Sequence, residues 1–422
     1  MNPHIPTSEL GWIDFSDNDR QKVLKVIELL KGEGTVDELG IGVIRNSLSD
    51  AMFPGITTIM TRAKYYYIVP RILHDFMVEK PGRISAKEYL RRKENEIMNF
   101  LSVQNNFEDK IGIIGISVAK QNKELPQNKW EELHRKPSAI YWNAIGQNGF
   151  KIYTGKLSLA NLLDLLDRKI KPDSAYTYIP TEGETSNDRD AENTESYFLL
   201  PDHPKDWQKN LTIELTVTEA DFLKHKIIDQ FPESLLAKVV VSKAATRDFL
   251  KSSSFGDMCD MPFVNKLPTG NVAILKTAKS FWEILYGAHI RFNVLLHSKP
   301  KGNKQYLEEV EGYWNEWVYN MKEFDWNSFD RNLMWSITKG NSRVKGHTET
   351  FVNNWIDLTE QQQFQISALD ALVLKQEGDN KKSRSKLKTD HDDYYEGWTG
   401  ISDMDFRFRN AKVIIKDIAD KI

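Results

Sequence analysis

Residues 280–296 read SFWEILYGAHIRFNVLL, and this stretch decides the fold class. Its large apolar side chains, among them Trp282, Tyr286, Phe292 and Leu295, recur at the spacing of a helix that is buried on most of its surface. Charged and polar side chains interrupt it, and no apolar run in the chain approaches the roughly 18 residues that suggest a membrane span. The segment therefore predicts a long core helix in a protein without membrane spans.

Helical patterns continue on both sides of this segment. We predict further helices over residues 16–32, 37–52, 57–71, 85–101, 218–230, 306–321, 360–374 and 406–422. The pattern changes over residues 109–155, because Gln147-Asn148-Gly149 signals a turn and residues 150–153 alternate as a strand would. We expect a mainly α, multi-helix, two-domain protein with a few short strands, in which residues 109–155 suit a small winged-helix-like module.

The domain boundary is predicted from an acidic stretch at residues 181–196. It contains six acidic residues, one Arg189 and no large apolar residue, so it cannot offset its ordering entropy by burial. We expect an exposed linker here that proteases cut first. The predicted domains are a helical N-terminal domain over residues 1–180 and a mainly helical C-terminal domain over residues 197–422.

Composition limits the function classes. The chain has 422 residues, one cysteine and a net charge of −3, so a disulfide framework, a thiolate zinc site and a general affinity for polyanions are not expected. The N-terminus lacks the basic and apolar regions of a signal peptide, and we expect a cytoplasmic protein. A nucleic-acid site would therefore depend on local segregation of positive charge.

Motifs of common catalytic classes are missing. The nine histidines show neither of the two helical spacings typical of zinc sites, H-x-x-x-H and H-E-x-x-H, and no phosphate loop or G-x-S-x-G elbow occurs. His289 and His297 are eight residues apart and could share a helical face, but packed histidines are the favoured interpretation. We expect no metal and no cofactor.

A basic and aromatic segment near the N-terminus is the first candidate for nucleic-acid binding. Arg62, Lys64 and Arg71 lie in one helical pattern with Tyr65 and its two tyrosine neighbours, and Arg45 precedes them. Cations interleaved with aromatic rings can neutralise phosphates while bases stack on the rings. The alternative is that the tyrosines are core residues and the cations pair with Asp37, Glu38 or Asp75.

A basic loop over residues 375–388 is the second candidate. Its cations include Lys381, Lys382, Arg384 and Lys386, a composition suited to contact with backbone phosphates. Trp398 follows on a loop between Gly397 and Thr399, where it could contact a ligand. A solvated charged loop is the alternative.

Three N-terminal carboxylates are candidates for catalysis without a metal. Asp14 lies between large apolar residues, where burial could raise its pKa. Asp37 and Glu38 open the helix that carries Arg45. A carboxylate can stabilise positive charge that develops on a sugar, although helix capping by Asp37 or a structural hydrogen bond by Asp14 would account for these residues equally well.

Several blocks carry a resemblance to a known family. They are residues 10–16 (LGWIDFS), 34–42 (GTVDELGIG), 53–59 (FPGITTI) with 61–65 (TRAKY), 137–142 (PSAIYW), 287–293 (GAHIRFN) and 404–408 (MDFRF). Together they resemble a bacterial family catalogued as a domain of unknown function, which occurs in phage-defence gene clusters. The family is in turn similar to defence DNA glycosylases that excise hypermodified cytosine. Lys64 and Phe408 differ from the arginine and tryptophan expected there, and no catalytic motif carries over.

Two functions of different classes follow. The resemblance implies an antiphage-defence enzyme, a metal-independent DNA glycosylase that flips a modified base out of phage DNA and excises it. The alternative is a non-catalytic DNA-binding or scaffold subunit that acts with other proteins of a defence locus. Abasic sites in modified DNA would distinguish the two.

Overall fold

The structure is a computed structural model that describes residues 37–126, 129–170, 197–388 and 395–422. Sixteen α-helices account for most of these described residues, which confirms the mainly α expectation. In chain order they are α1 (Gly42–Met52), α2 (Tyr65–Glu79), α3 (Ala86–Gln104), α4 (Ile116–Lys123), α5 (Pro137–Ile145), α6 (Leu159–Ile170), α7 (Val217–Gln230), α8 (Leu235–Val241), α9 (Lys243–Lys251), α10 (Phe255–Cys259), α11 (Thr269–Ser298), α12 (Lys304–Lys322), α13 (Arg331–Asn341), α14 (Gly346–Glu360), α15 (Ile366–Lys381) and α16 (Phe408–Ala419).

Extended structure is almost absent from the described residues. The strand expected at residues 150–153 pairs at one position, an antiparallel bridge between Tyr153 and Phe198. Residues 109–155 otherwise hold a short 3₁₀ turn at Asp109–Ile111 and the helices α4 and α5. The winged-helix-like module is not confirmed.

The chain forms two compact units. The first unit takes its described residues from the ranges 1–42, 283–324 and 345–403, and the second from 43–282, 325–344 and 404–422. Each unit thus combines residues from both sides of the segment 181–196, where the sequence predicts a domain boundary. That segment lies outside the described residues, so the linker and the two predicted domains stay predictions.

In the first unit, tryptophans join the second half of α11 to its neighbours. The indole N–H of Trp355 on α14 donates to the Ile284 carbonyl at 2.9 Å, and that of Trp317 on α12 donates to the Glu283 carbonyl at 2.8 Å. Arg291 forms two 2.7 Å hydrogen bonds to the carboxylate of Asp370 on α15. These contacts fix the helices that carry the basic loop.

In the second unit, α2 lies in the core because its aromatic side chains are buried on several sides. Tyr66 packs edge-on against Tyr141 at 5.0 Å and against Phe150 at 5.1 Å between ring centroids. Pro70 lies inside α2 without ending it. None of the helices formed by the described residues is both long and apolar enough to cross a membrane.

Candidate functional site

The basic loop and one of the predicted carboxylates meet in the first unit. Glu38 is 1% exposed at its side chain, and its carboxylate lies between two lysine ammonium groups. Lys381 Nζ is 3.1 Å from Oε2 and Lys386 Nζ is 2.8 Å from Oε1. We call these three residues the Glu38 cluster. A buried carboxylate needs such compensation, because an unpaired charge is costly away from water.

Backbone and side-chain hydrogen bonds hold the loop against α15. The buried Glu377 accepts from the Lys386 backbone N–H at 2.7 Å and from the Ser385 hydroxyl. Lys299 donates from Nζ to the Lys386 carbonyl at 2.8 Å. These bonds turn the chain back after α15 ends at Lys381, so the side chain of Lys386 reaches Glu38.

The segment before α1 is anchored to the same helix. The side-chain amide of Asn380 donates to the carbonyls of Asp37 and Glu38, at 3.0 Å each. The Asp37 carboxylate accepts from the backbone N–H groups of Ile41 and Gly42, at 3.1 and 2.7 Å. Asp37 therefore caps the start of α1, as the alternative interpretation proposed.

A tight loop at Gly400 packs against the side chain of Glu38. Gly400 has a φ of +92°, and a Cβ at this position would lie 3.4 Å from Glu38 Cγ and 3.7 Å from Nδ1 of the buried His289. The side-chain amide of Asn293 fixes this loop by accepting from the Thr399 N–H at 2.8 Å and donating to the Thr399 carbonyl at 3.0 Å. The positive φ favours glycine at residue 400.

The remaining cations of the loop face solvent. Lys382, Arg384 and Lys388 are exposed, whereas Lys381 and Lys386 are 18% and 24% exposed at their side chains. The sequence could not separate these two groups. The four cations predicted to bind nucleic acid are thus two that pair with a buried acid and two, Lys382 and Arg384, that are free to contact a polyanion.

Trp398 also lies in the first unit, where its ring contacts two tyrosine rings. Its ring stacks on Tyr286 with 5.6 Å between centroids and 22° between planes, and Tyr313 lies 6.5 Å away. Its indole N–H donates to the Ile401 carbonyl at 3.1 Å. The residue is half-buried.

The basic and aromatic segment of α2 is core. Tyr65 is 1% exposed, and its hydroxyl accepts from the Ile114 N–H at 2.9 Å. Lys64 and Arg71 are buried and bind the two oxygens of Glu219, at 2.8 and 2.5 Å. Burial opposes the charge on Glu219, but the two cations outweigh it and hold its pKa below the usual range.

Arg62 and Arg45, the other two cations of the predicted nucleic-acid-binding segment, also have protein partners. Arg62 binds the Asp417 carboxylate, with NH2 2.9 Å from Oδ1, and burial raises the pKa of that carboxyl despite the arginine. Arg45 is half-buried and donates to the Asn46 side chain at 3.2 Å. The core interpretation therefore describes this segment, although the acids are Glu219 and Asp417 rather than those expected. Asp14 lies outside the described residues.

The second unit contains a group of side chains that the sequence did not reveal. His74 and Asp75 on α2 and His203 on a loop have ligand atoms that all lie within 4.8 Å of one another. All three residues are half-buried. Spacing rules test residues a turn apart on one helix, so they cannot find a histidine that a distant loop supplies.

One family model matches the chain over residues 7–421, and it describes a family of unknown function, DUF6361. No curated protein and no solved structure matches the sequence.

Proposed function

We propose a function for this chain, which belongs to the family of unknown function DUF6361: it binds phage DNA in antiphage defence and excises a modified base without a metal. The observation that carries the proposal is the Glu38 cluster beside the exposed cations of the basic loop. The defence role and the class of reaction rest on the resemblance of the sequence blocks, and the assignment of residues rests on the cluster.

DNA binding is assigned to the loop because its outer cations have the required exposure. Lys382, Arg384 and Lys388 are exposed within seven residues of one another, in a chain whose net charge is −3. Such cations bind phosphates by releasing counterions and read no sequence. Trp398, in the same unit, offers a ring on which an unstacked base can lie.

Base excision is assigned to Lys386, the member of the Glu38 cluster with the larger exposed fraction, 24% of its side chain. We propose that Lys386 passes one proton to Glu38 and attacks C1′ of the deoxyribose with the freed amine. As the new C–N bond forms, the N-glycosidic bond breaks, and the base leaves with the bonding electron pair and takes up a proton. The C1′–O4′ bond of the sugar ring then breaks, the lysine nitrogen passes a proton to O4′, and its lone pair forms the C1′=N bond of a protonated imine. Water then hydrolyses the resulting imine to free the lysine and leave an abasic site. Glu38 is a positioning residue that acts through Lys386.

Incubation of the purified chain with phage DNA that carries hypermodified cytosine tests the proposal. Abasic sites, detected with an aldehyde-reactive probe, are expected in this DNA and not in unmodified DNA. Borohydride should trap the imine as a covalent protein–DNA complex. If neither DNA acquires abasic sites, the enzyme proposal is wrong.

A matched pair of variants assigns the residue. In the unsubstituted chain Lys386 Nζ lies 2.8 Å from Glu38 Oε1. Lys386→Arg keeps a positive charge beside Glu38 but removes the primary amine. We expect it to retain DNA binding and to lose both base release and borohydride trapping. Lys382→Arg changes an exposed lysine of the same loop in the same way and should keep full activity. Equal activity in both variants would remove Lys386 from the mechanism.

A non-catalytic DNA-binding or scaffold role is the second candidate. It is favoured by the 1% exposure of Glu38, which two lysines already neutralise, and by the capping role of Asp37. This candidate predicts binding to both DNAs with the same affinity and no abasic sites. Discrimination between modified and unmodified DNA would count against it.

A further inference from the structure

We propose that His74, Asp75 and His203 bind one divalent transition metal of the zinc class. Their ligand atoms lie within 4.8 Å of one another, which is close enough for the three side chains to share one ion. His74 and Asp75 are held on α2, and His203 approaches from the loop before the 3₁₀ turn at Trp207–Asn210. This site belongs to the second unit and is independent of the function proposed for the Glu38 cluster.

Hydrogen bonds already orient two of the three ligands. His203 Nδ1 lies 3.2 Å from the Pro201 carbonyl, and because a carbonyl only accepts, Nδ1 carries the proton. The lone pair on Nε2 is then available to a metal. Such a second hydrogen bond on the ring is the usual way in which proteins fix a ligating histidine.

Asp75 is oriented in the same manner. Its Oδ2 accepts from the Trp207 indole N–H at 2.8 Å and from the Gln208 amide at 3.1 Å. These two bonds leave Oδ1 for a metal. They also explain why a carboxylate can remain half-buried here beside two histidines.

His74 completes the set. Its ring meets the His203 ring edge-on, with 5.8 Å between centroids and 74° between planes. A neutral imidazole keeps a lone pair on one ring nitrogen, and this lone pair can bind a metal.

The charges around the site are mixed. Arg71 is the basic residue of α2 closest in sequence to His74 and Asp75. The positive charge of Arg71 itself is offset by Glu219, 2.5 Å away. Glu79, one turn along α2, adds negative charge and accepts from the Tyr89 hydroxyl at 2.7 Å.

The donor atoms select the class of metal. Two imidazole nitrogens and one carboxylate oxygen suit Zn²⁺ and its chemical neighbours, whereas Mg²⁺ and Ca²⁺ prefer oxygen ligands alone. Three protein ligands leave at least one coordination position for water or a substrate. The site therefore resembles open metal sites that polarise a bound water rather than closed structural ones.

Titration of the chelator-treated full chain with Co²⁺ tests the proposal without DNA. We expect one Co²⁺ per chain with the visible absorption of a tetrahedral or five-coordinate site, and displacement by Zn²⁺ but not by Mg²⁺. His74→Ala and His203→Ala should each abolish this absorption. His225→Ala is the matched control, because His225 is an exposed histidine 3.4 Å from Asp221 on α7 and should not matter.

Trp207→Phe provides a second test in case a variant of a metal ligand does not fold. It keeps the aromatic ring and removes only the N–H donated to Asp75, and the loss of such a bond typically weakens metal binding about 10–100-fold. Unchanged Co²⁺ affinity in folded Trp207→Phe and His203→Ala, or no Co²⁺ absorption in the unsubstituted chain, overturns the proposal. Neither result bears on base excision, which is measured separately.

Discussion

Glu94 shows how one residue can set the pH dependence of stability. Its side chain is buried on α3, and Oε1 accepts from the Ser138 backbone N–H at 2.6 Å. Burial raises the pKa of Glu94 from 4.5 to about 7, against the lowering effect of that hydrogen bond. The folded chain therefore binds a proton between these two pH values that the unfolded chain releases.

The sign of the effect follows from proton linkage. A raised carboxyl pKa stabilises the fold fully below the unfolded pKa, and this contribution is lost as pH rises through the folded pKa. We expect Glu94 to cost about 3 kcal/mol of stability above neutral pH. Glu94→Gln mimics the protonated acid, so it should match the unsubstituted chain in urea unfolding at about pH 4, below the unfolded pKa, and exceed its stability at about pH 8. If the two chains differ in free energy of unfolding by the same amount at both pH values, the prediction is wrong.

At this scale the sequence identified charged residues better than it identified their partners. The loop cations were apparent from composition, but Glu38, which binds Lys386, lies 348 residues away in the chain. The same limit hid the approach of His203 to His74. The sequence shows directly which residues are neighbours within one helix. The pairs Glu38–Lys386 and His74–His203 form only through tertiary packing.

The helices were predictable where their ends carry local signals. Ser85 was expected to open a helix, and its side chain accepts from the Glu88 N–H at the start of α3. The helix expected over residues 306–321 is α12, Lys304–Lys322. The helix expected over residues 360–374 is α15, but it begins later, at Ile366, because α14 ends at Glu360 and a break separates the two. The break falls in QQQFQ, where Gln362 has a φ of +54° although no glycine or proline marks it.

The approach of α11 to α12 yields a prediction at the scale of elements. Gly287 on α11 faces the ring of Trp317 on α12 so closely that an added Cβ would overlap the indole. Gly287→Ala should therefore destabilise the protein by about 1–3 kcal/mol, the usual cost of overpacking a core.

Gly312 on α12 provides the control, since a Cβ there would meet no atom within 4 Å. Gly312→Ala should stabilise the protein by about 0.5–1 kcal/mol, because alanine loses less backbone entropy in a helix. Urea unfolding of both variants measures the difference. Two changes of the same sign would mean that helix propensity, and not the contact with Trp317, governs residue 287.

For the whole molecule, the order of elements along the chain did not reveal which ones pack together. The segment before α1 belongs to the first unit because Gln376 on α15 donates to the Leu39 carbonyl at 2.6 Å and Asn380 donates to the two preceding carbonyls. Nothing in the composition of residues 37–42 indicates these partners. Contacts between segments that are distant in the chain are the part of a fold that is hardest to predict from a single sequence.

Net charge is also a property of the whole chain, and it does not show that exposed positive charges are clustered in the basic loop. With a net charge of −3, affinity for DNA must arise from segregated cations, and Lys382, Arg384 and Lys388 are three exposed cations in the part of the basic loop that follows α15. Substituting Lys381 or Lys386 would leave Glu38 under-compensated and mix lost binding with lost stability. The binding test should therefore change the three outer cations to glutamine and leave the inner pair intact.

Neutralising these three cations should weaken binding equally for all DNA sequences and reduce the slope of log affinity against log salt by up to about 2.7, near 0.9 for each phosphate contact. The control changes Lys80, Lys87 and Lys205 to glutamine, three exposed lysines of the second unit, and so alters net charge by the same amount. Fluorescence anisotropy over a salt series measures both slopes. If the control lowers the slope as much as the loop variant does, the effect belongs to total charge, and the basic loop is a solvated surface.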